Sequence, residues 1–376
     1  LAANHLRTRD DVEITLVNAR PSFVERIRLH QLVTGSDDAV VDYQILLGEG
    51  IALIIDSATQ IDGQARTVTL ASGRTLDYDY LIYAVGSTGA TPSVPGAEFA
   101  HPISEFEHAQ ELRSAMDRVA ADAPLVVVGA GPTGIETAAE LGETGRRVTL
   151  VCGSVLGPYL STPGRRSVAK RLTKLGVTVL DGPGATVTSL TDDTVTLADG
   201  RELLSAVTIW TAGFGVPDLA ARSGLTTDAL GRLLTDETLT SVDDPRIIAA
   251  GDASAPSNQP LRMSCQAALP LGAQAANTVL SRIAGEQPAA ISQAFTGQCI
   301  SVGRNAGTIQ LAHTDDSVLP LYIGGRAAAT VKEAVCKGTI SFLTREARKP
   351  GSYFWLKGGK RQQRLAAAKA AGATAK

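Results

Sequence analysis

The chain has 376 residues, 44% of them hydrophobic and 19% charged, with a formal net charge of −3. That length suits two or three domains, and the composition excludes a disordered or collagen-like chain. No run of about 18 apolar residues occurs, so no membrane-spanning helix is predicted, and no signal peptide opens the chain. The four cysteines, Cys152, Cys265, Cys299 and Cys336, form no CxxC or CxxxxC pair. That argues against a zinc site, a disulfide framework and a local redox dithiol, and fits a reducing cytoplasm.

Leu1–Leu6 reads as a short helix and ITLVNAR (Ile14–Arg20) as a buried parallel-type strand. Asn18 lies at that strand's carboxyl end, where it can hydrogen-bond a ribose. In ERIRLHQL (Glu25–Leu32), Arg26, Arg28 and His30 alternate with apolar residues. TVTLASGRTL (Thr67–Leu76) predicts a hairpin around a Ser-Gly turn, and LIYAVG (Leu81–Gly86) a strand ending in glycine. LVVVGAGPTGIETAAEL (Leu125–Leu141) is an apolar strand, a GxGxxG turn and a helix start, the context in which that motif binds a dinucleotide. Gly129 permits the turn, Gly131 lets the backbone approach a pyrophosphate, and Gly134 lets helix and strand pack closely. The helix N-terminus then faces the phosphates. VTLVCGS (Val148–Ser154) is the next buried strand. Cys152, at its ribose position, is neutral and small; a plain buried residue is the bland alternative, and NADH and NADPH stay open.

The chain then repeats itself. TVTLADGREL (Thr194–Leu203) matches Thr67–Leu76 at eight of ten positions, and it too leads into an apolar strand ending in glycine, VTIWTAG (Val207–Gly213). ITLVNAR likewise resembles VTLVCGS. Two copies of one domain are predicted. Aligning Leu6 with Leu141 puts the counterpart of Gly134 two positions before Leu1. The first copy's glycine loop and central strand are therefore expected upstream, about ten to fifteen residues beyond the start.

RIIAAGDAS (Arg246–Ser254) is a short strand ending in Gly251-Asp252, a carboxylate where open α/β sheets bind ligands; the alternative for Asp252 is a helix cap. Beyond it, CISVGR and TIQLA read as strands and Ala327–Phe342 as a helix. The net charge is the balance of +8 on residues 347–376 and −11 on the rest. The basic tail suits contact with anionic lipid or nucleic acid, with a solvated terminus as the alternative, and Tyr353-Phe354-Trp355 ahead of it suits an interfacial anchor or, equally, the last packing of the C-terminal domain. Nothing but the tail points to nucleic acid.

In this order the motifs resemble the two-dinucleotide-binding-domain flavoproteins of the pyridine nucleotide-disulfide oxidoreductase superfamily. Within them the chain is similar to type II NADH:quinone oxidoreductases and apoptosis-inducing-factor-like FAD-dependent oxidoreductases. The resemblance covers about residues 1–285. It implies an α/β fold of two Rossmann-like domains, one inserted in the other, with a smaller C-terminal α+β region. FAD would lie in residues 1–95 and 215–285, and NAD(P)H in 96–214. Residues 286–346 would form a C-terminal domain that covers the flavin or makes a homodimer contact, ahead of the tail at 347–376.

The resemblance also implies roles. Ala84 and Gly86 would cross near the FAD phosphates, and Gly251 and Asp252 would hold the ribitol edge. The helix starting near Gln266 would face the flavin. Gly213 and Phe214 would flank the nicotinamide, and Arg28 or His30 would approach the flavin. Glu136 matches the family glutamate near the nicotinamide and His30 is a candidate proton donor. Their bland alternatives are an exposed helix-start acid complementing the dipole and a surface or N-cap-adjacent histidine. Two departures stand out: the disulfide reductases' CxxxxC is missing, and Pro270-Leu271 replaces the Gln-Gln pair of the respiratory enzymes.

The expected activity is hydride transfer from NAD(P)H to FAD and electron transfer onward to a diffusible acceptor, a quinone in the leading reading. The alternatives are a ferredoxin-type reductase and an NAD(P)H-binding redox sensor without turnover. The expected location is the cytoplasm, with peripheral contact at the inner face of the membrane through the tail.

Overall fold

The computed structural model describes residues 1–374, and the side chains of all of these but 368, 369 and 371–374; Lys376 of the basic tail lies outside the described residues. Helix α1 (Ala2–Leu6) precedes strand β1 (Ile14–Asn18). A 3-10 turn at Arg26–Arg28 runs into helix α2 (Leu29–Thr34), which Gly35 ends at φ 76°. Strand β2 (Ile51–Ile55) then pairs in parallel with β1. An antiparallel layer follows, of β3 (Ala58–Asp62), β4 (Thr67–Leu70) and β5 (Thr75–Asp77), and then strand β6 (Leu81–Tyr83).

A second unit interrupts the first. It runs through β7 (Ala100–Pro102), helix α3 (Phe106–Arg118), β8 (Pro124–Val128), helix α4 (Pro132–Glu143), β9 (Arg147–Val151), helix α5 (Thr162–Lys174) and β10 (Thr178–Leu180). Its own antiparallel layer is β11 (Val187–Leu190), β12 (Thr194–Leu197) and β13 (Glu202–Leu204), and β14 (Val207–Trp210) closes it. The parallel sheet has the order β7-β14-β8-β9-β10. Strand alternation explains the unbroken apolar run of β8. Leu125 and Val127 pack with the helices, while Val126 and Val128 pack with the β11–β13 layer. Each such side chain, buried completely, contributes about 1.5–3 kcal/mol.

The chain then returns to the first unit, where β15 (Ile247–Ala249) pairs in parallel with β6. The fold is thus α/β, with two Rossmann-like units, one set inside the other. The two crossings between them, Thr88–Gly89 and Phe214–Gly215, pair antiparallel with each other. In the first unit the pairs β1–β2 and β6–β15 stand apart.

Helix α6 (Cys265–Ile283) is capped by Ser264, whose hydroxyl accepts from Ala267 N–H. Pro270 lies inside it and cannot donate to the carbonyl of Gln266. That carbonyl accepts instead from the Gln293 amide Nε2, so the proline is tolerated without a bare buried acceptor.

The C-terminal region is an antiparallel sheet of β16 (Gly297–Ser301), β17 (Gly307–Ala312) and β18 (Val318–Gly324), packed on helix α7 (Gly325–Arg348). An extended segment follows, fixed at both ends. At one end Glu346, fully buried, accepts from Gly351 N–H, Ser352 Oγ and Tyr353 N–H and lies 2.6 Å from His5 Nδ1. At the other, Arg361 grips both carboxylate oxygens of Glu237 and donates to the carbonyls of Gln259 and Pro256. Helix α8 (Arg361–Thr374) carries part of the basic tail. Among the described residues no helix is long and apolar enough to cross a membrane.

Candidate active site

One cavity of about 2940 Å³ runs between the two units and under α7. It exceeds the ~300–1,000 Å³ of an ordinary small-ligand site, and part of it is the gap between β1 and β6, where the other unit has β8 between β9 and β14. Every residue of β1 and of β6 lines it, whereas β2 and β15 lie behind them.

Asp252 follows β15 and is held by Ser87, whose hydroxyl donates to its Oδ2 at 2.7 Å. Ser87 is itself fixed by Arg26, which donates to its carbonyl at 2.6 Å and to that of Ser104 at 3.0 Å. The second carboxylate oxygen of Asp252, Oδ1, is buried with no partner among the described residues. A bare buried carboxylate oxygen is costly and calls for a donor from a ligand. Gly86 and Gly251, at φ 74° and 70°, turn the backbone on either side of this acid, and Ala84 and Asn18 line the same cavity. The Asn18 amide donates to the carbonyl of Arg20 at 2.8 Å, so its oxygen is left for a ligand. Gln266, in the first turn of α6, lines the cavity too. These groups fit the hydroxyl-rich, anionic body of a flavin dinucleotide.

The glycine turn lies at the head of α4, where Pro132 and Thr133 line the cavity and the three glycines do not. A Cβ on Gly129 (φ 131°) would sit 2.3 Å from Thr211 Oγ1, and one on Gly134 would sit 2.0 Å from the carbonyl oxygen of Gly129. A Cβ on Gly131 would meet nothing within 4 Å. The outer two glycines hold the turn against the helix, and the middle one opens its backbone to an incoming phosphate. Gly213 (φ 82°) and Phe214 lie at the return crossing, and Phe214, half exposed, lines the cavity.

Glu136 and His30 are both buried, at 5% and 3% exposure, so neither is a surface residue, and His30 lies two positions past Arg28, the N-cap of α2. Glu136 Oε1 accepts from Lys332 Nζ at 3.0 Å and from Ser301 N–H at 3.0 Å. His30 Nδ1 is 3.9 Å from the other Glu136 oxygen. Burial pushes Glu136 up, but Lys332, His30 and the Ser301 N–H outweigh it and hold the carboxyl below its ordinary value. Burial likewise pulls Lys332 down, yet the Glu136 carboxylate more than offsets it and keeps the ammonium charged. Burial draws the His30 imidazole below its ordinary value, against the pull of the two nearby carboxylates. At neutral pH the cavity therefore holds a Glu⁻–Lys⁺ pair beside a neutral imidazole.

Arg28 is a correction. It does not line the cavity; its guanidinium bonds Gln31 and Glu333 and faces Glu25 and Asp37. The segment Glu25–Leu32 is a 3-10 turn and a helix, in which neighbours two apart point to different sides. Arg26 takes the cavity side. Lys332 and Gln293 also escaped sequence reading, since each reaches its partner only through the tertiary fold. Cys152 is buried, and burial pushes its thiol up to about 12. All four cysteines are free.

The far wall of the cavity is apolar. Val331, Val335, Thr339 and Phe342 present one face of α7, and Tyr353 and Phe354 of the extended segment stand against it. Tyr353 stacks on Trp355 at 6.0 Å and meets Phe342 edge-on at 5.5 Å.

A glycine-turn Rossmann unit set against a second unit with an orphaned acid in a large shared cavity defines a two-dinucleotide oxidoreductase. Residues 1–272 match the model of the pyridine nucleotide-disulphide oxidoreductases, and the chain belongs to that family. An NADH dehydrogenase-like protein of Mycobacterium tuberculosis is 28% identical over 346 residues, covering 86% of this chain and 85% of its own. The type II NADH:quinone oxidoreductase of the same organism is 30% identical over 337 residues, covering 77% and 71%. Among solved structures, the sulfide:quinone oxidoreductase of Aquifex aeolicus shares the fold with a TM-score of 0.76 at 20% identity, over 93% of this chain and 90% of that one. The family uses FAD and NAD(P)H, and the chain is an NAD(P)H-dependent flavoprotein oxidoreductase of the NADH dehydrogenase-like type.

Proposed function

We propose that the chain oxidises NAD(P)H and passes the electrons to a quinone that enters between α7 and the Tyr353–Leu356 segment. The observation that carries the acceptor reading is the wall just described: apolar and aromatic along its length, and polar at Lys332 beside Glu136. A flat, lipophilic ring with carbonyl oxygens matches both halves of that surface, which a protein acceptor could not reach into.

Asp252, Gly86, Gly251, Ala84, Asn18 and the N-terminus of α6 at Gln266 would hold FAD. Gly129, Gly131 and Gly134 would hold the NAD(P)H pyrophosphate, with Gly213 and Phe214 toward its nicotinamide. When bound, the flavin supplies two-electron chemistry between nicotinamide and acceptor. The protein's part is placement and electrostatics. Asp252 orients by accepting hydrogen bonds, the positive end of the α6 dipole favours developing negative charge, and the Lys332 ammonium does the same at the acceptor end. Glu136 keeps that ammonium in place and charged. Phe354 and Leu356, 66% and 61% exposed, stand next to Lys357, whose ammonium lies 5.6 Å from the Trp355 ring centre. That pattern of apolar side chains with cations suits contact with an anionic bilayer, the source of such an acceptor.

The test is spectroscopic. The chain reconstituted with FAD is expected to show a flavin band that bleaches on adding NADH or NADPH and returns with a short-chain benzoquinone. A band that bleaches and returns only with a ferredoxin or with oxygen would remove the quinone. A protein that takes up nicotinamide dinucleotide without turnover would be the sensor.

A further inference from the structure

A buried line of ionisable side chains runs from the cavity to the surface behind α4, and the cofactor site does not use its outer part. Glu136 and Glu140 lie one turn apart on the same face of α4, and both are buried, at 5% and 3% exposure. His30 of α2 stands between them. Its Nδ1 is 3.9 Å from Glu136 Oε2 and its Nε2 is 3.9 Å from Glu140 Oε1. His30 is itself 3% exposed, and its Nε2 has no hydrogen-bond partner among the described residues. Each ring nitrogen thus faces a different carboxylate.

The two carboxylates have opposite outlooks. Glu136 lines the cavity and touches Lys332. Glu140 does not line it. Its Oε2 accepts from Thr34 Oγ1 at 2.9 Å and from Ser36 Oγ at 3.2 Å, and its Oε1 is 3.0 Å from Arg304 Nε. Ser36 and Arg304 are exposed, so Glu140 lies just beneath the surface. The charged groups facing His30 are Glu136 and Glu140 of α4, Lys332 of α7 and Arg304 of the turn between β16 and β17. Two anions and two cations balance there around a neutral imidazole, so the ring passes a proton by taking one on one nitrogen as the other leaves, without holding both.

We infer that Glu140, His30 and Glu136 form a proton path from solvent to the acceptor end of the cavity. The inference rests on the quinone reading of the acceptor, because only that chemistry requires it. NAD(P)H gives up two electrons and one proton as hydride; a quinone becoming a quinol takes two electrons and two protons. The reaction NAD(P)H + H⁺ + quinone → NAD(P)⁺ + quinol therefore draws one proton from water. That proton enters at Glu140, and His30 takes it on Nε2 while releasing the one on Nδ1 to Glu136. Glu136, held by Lys332, delivers it to the quinol oxygen. Each 3.9 Å gap is about 1 Å longer than a hydrogen bond and is closed by a small ring rotation or by one bridging water. Glu140 and His30 touch no reacting atom in this scheme and act through Glu136.

The test compares two acceptors on the FAD-loaded chain. Ferricyanide takes electrons alone, and NAD(P)H + 2 Fe(III) → NAD(P)⁺ + H⁺ + 2 Fe(II) needs no proton from solvent. In Glu140→Gln, which keeps an acceptor for Thr34 and Ser36, the ratio of benzoquinone to ferricyanide rates is expected to fall by about tenfold or more near neutral pH. The deficit should shrink as pH falls toward about 6, where hydronium is more plentiful. His30→Gln should show the same fall in the ratio. An unchanged ratio, including one in which both rates drop together, overturns the path. A second readout needs no turnover: the ¹⁵N resonances of the His30 ring are expected to titrate at different pH in Glu140→Gln and Glu136→Gln than in the unaltered chain. Ring resonances unmoved by both substitutions overturn the path independently. An unaltered chain that reduces ferricyanide but no quinone sinks the acceptor reading and the path with it, whereas a chain that reduces quinone with an unchanged ratio in the variants sinks the path alone.

Discussion

In the second unit five parallel strands lie side by side, and β8 is buried on both faces; in the first, β1 with β2 and β6 with β15 stand as separate pairs on the walls of a cavity. Beside this difference the antiparallel layers of the two units agree closely. Thr67 pairs Asp77 and Val68 pairs Leu76 in one; Thr194 pairs Leu204 and Val195 pairs Leu203 in the other. Both layers carry an irregularity at the same place, between Ala58 and Gln60 and between Val187 and Ser189. Both turn on a glycine at nearly the same angle, Gly73 at φ 84° and Gly200 at φ 83°. An antiparallel hairpin is specified by its own alternation and turn, so a duplicated sequence reproduces it down to the bulge. A parallel strand depends on partners far along the chain, so its pairing is not fixed by a local repeat in this way.

The largest break in the comparison is expected at the glycine turn. Gly134→Ala puts a methyl 2.0 Å from a backbone oxygen, while Gly86→Ala in the first unit meets nothing within 4 Å. Urea denaturation should show a loss of about 3 kcal/mol for Gly134→Ala and about 1 kcal/mol for Gly86→Ala, the latter from its positive φ alone. Equal losses would mean that the turn is not packed as described. Next comes Asp252→Ala, which removes the orphaned acceptor. Fluorescence titration should find FAD affinity lower by about tenfold to about a hundredfold, with NADH affinity little changed. A matching loss for NADH would merge the two sites.

Glu136 tests the boundary between the units by pH. Its carboxyl is held below its ordinary value of 4.5, so its ionised form contributes stability above that pH, and the contribution is lost as pH falls through the depressed value. The stability of the unaltered chain relative to Glu136→Gln should therefore be greatest near neutrality and shrink as the pH falls below the ordinary carboxyl value of 4.5. A gap that widened with acid would put the wrong sign on the Lys332 contact. The smallest effects sharpen the likeness. Gly73→Ala and Gly200→Ala, each in open space at positive φ, should cost about 1 kcal/mol each and agree within about 0.5 kcal/mol. A large disparity between them would show that the layers are alike in backbone only.

Local patterns were readable. The strand, glycine turn and helix of Leu125–Leu141 and both hairpins follow from periodicity and turn residues, whereas the helix near Gln266 comes from the family resemblance. The C-terminal helix extends beyond Ala327–Phe342 to Gly325–Arg348, because boundaries answer to packing against β16 and β17 as well as to pattern. Of the site, the glycines, Asp252, Glu136 and His30 carry recognisable signals. Lys332 does not: it is one lysine on an amphipathic helix, and only the fold carries it to Glu136. Arg26 and Arg28 are equivalent in sequence, and the turn at Arg26–Arg28 decides between them. Gln293 becomes meaningful only once Pro270 has left the Gln266 carbonyl without its helical donor.

The paired crossings, Thr88–Gly89 with Phe214–Gly215, limit how the molecule can flex. Two separate linkers would tie the units by chain alone. Zipped into a ribbon, and joined by the buried core that Leu29, Leu32 and Val33 of α2 share with α3 and α4, they fasten one unit to the other along two lines. Phe214 sits on one of those lines, at the cavity edge.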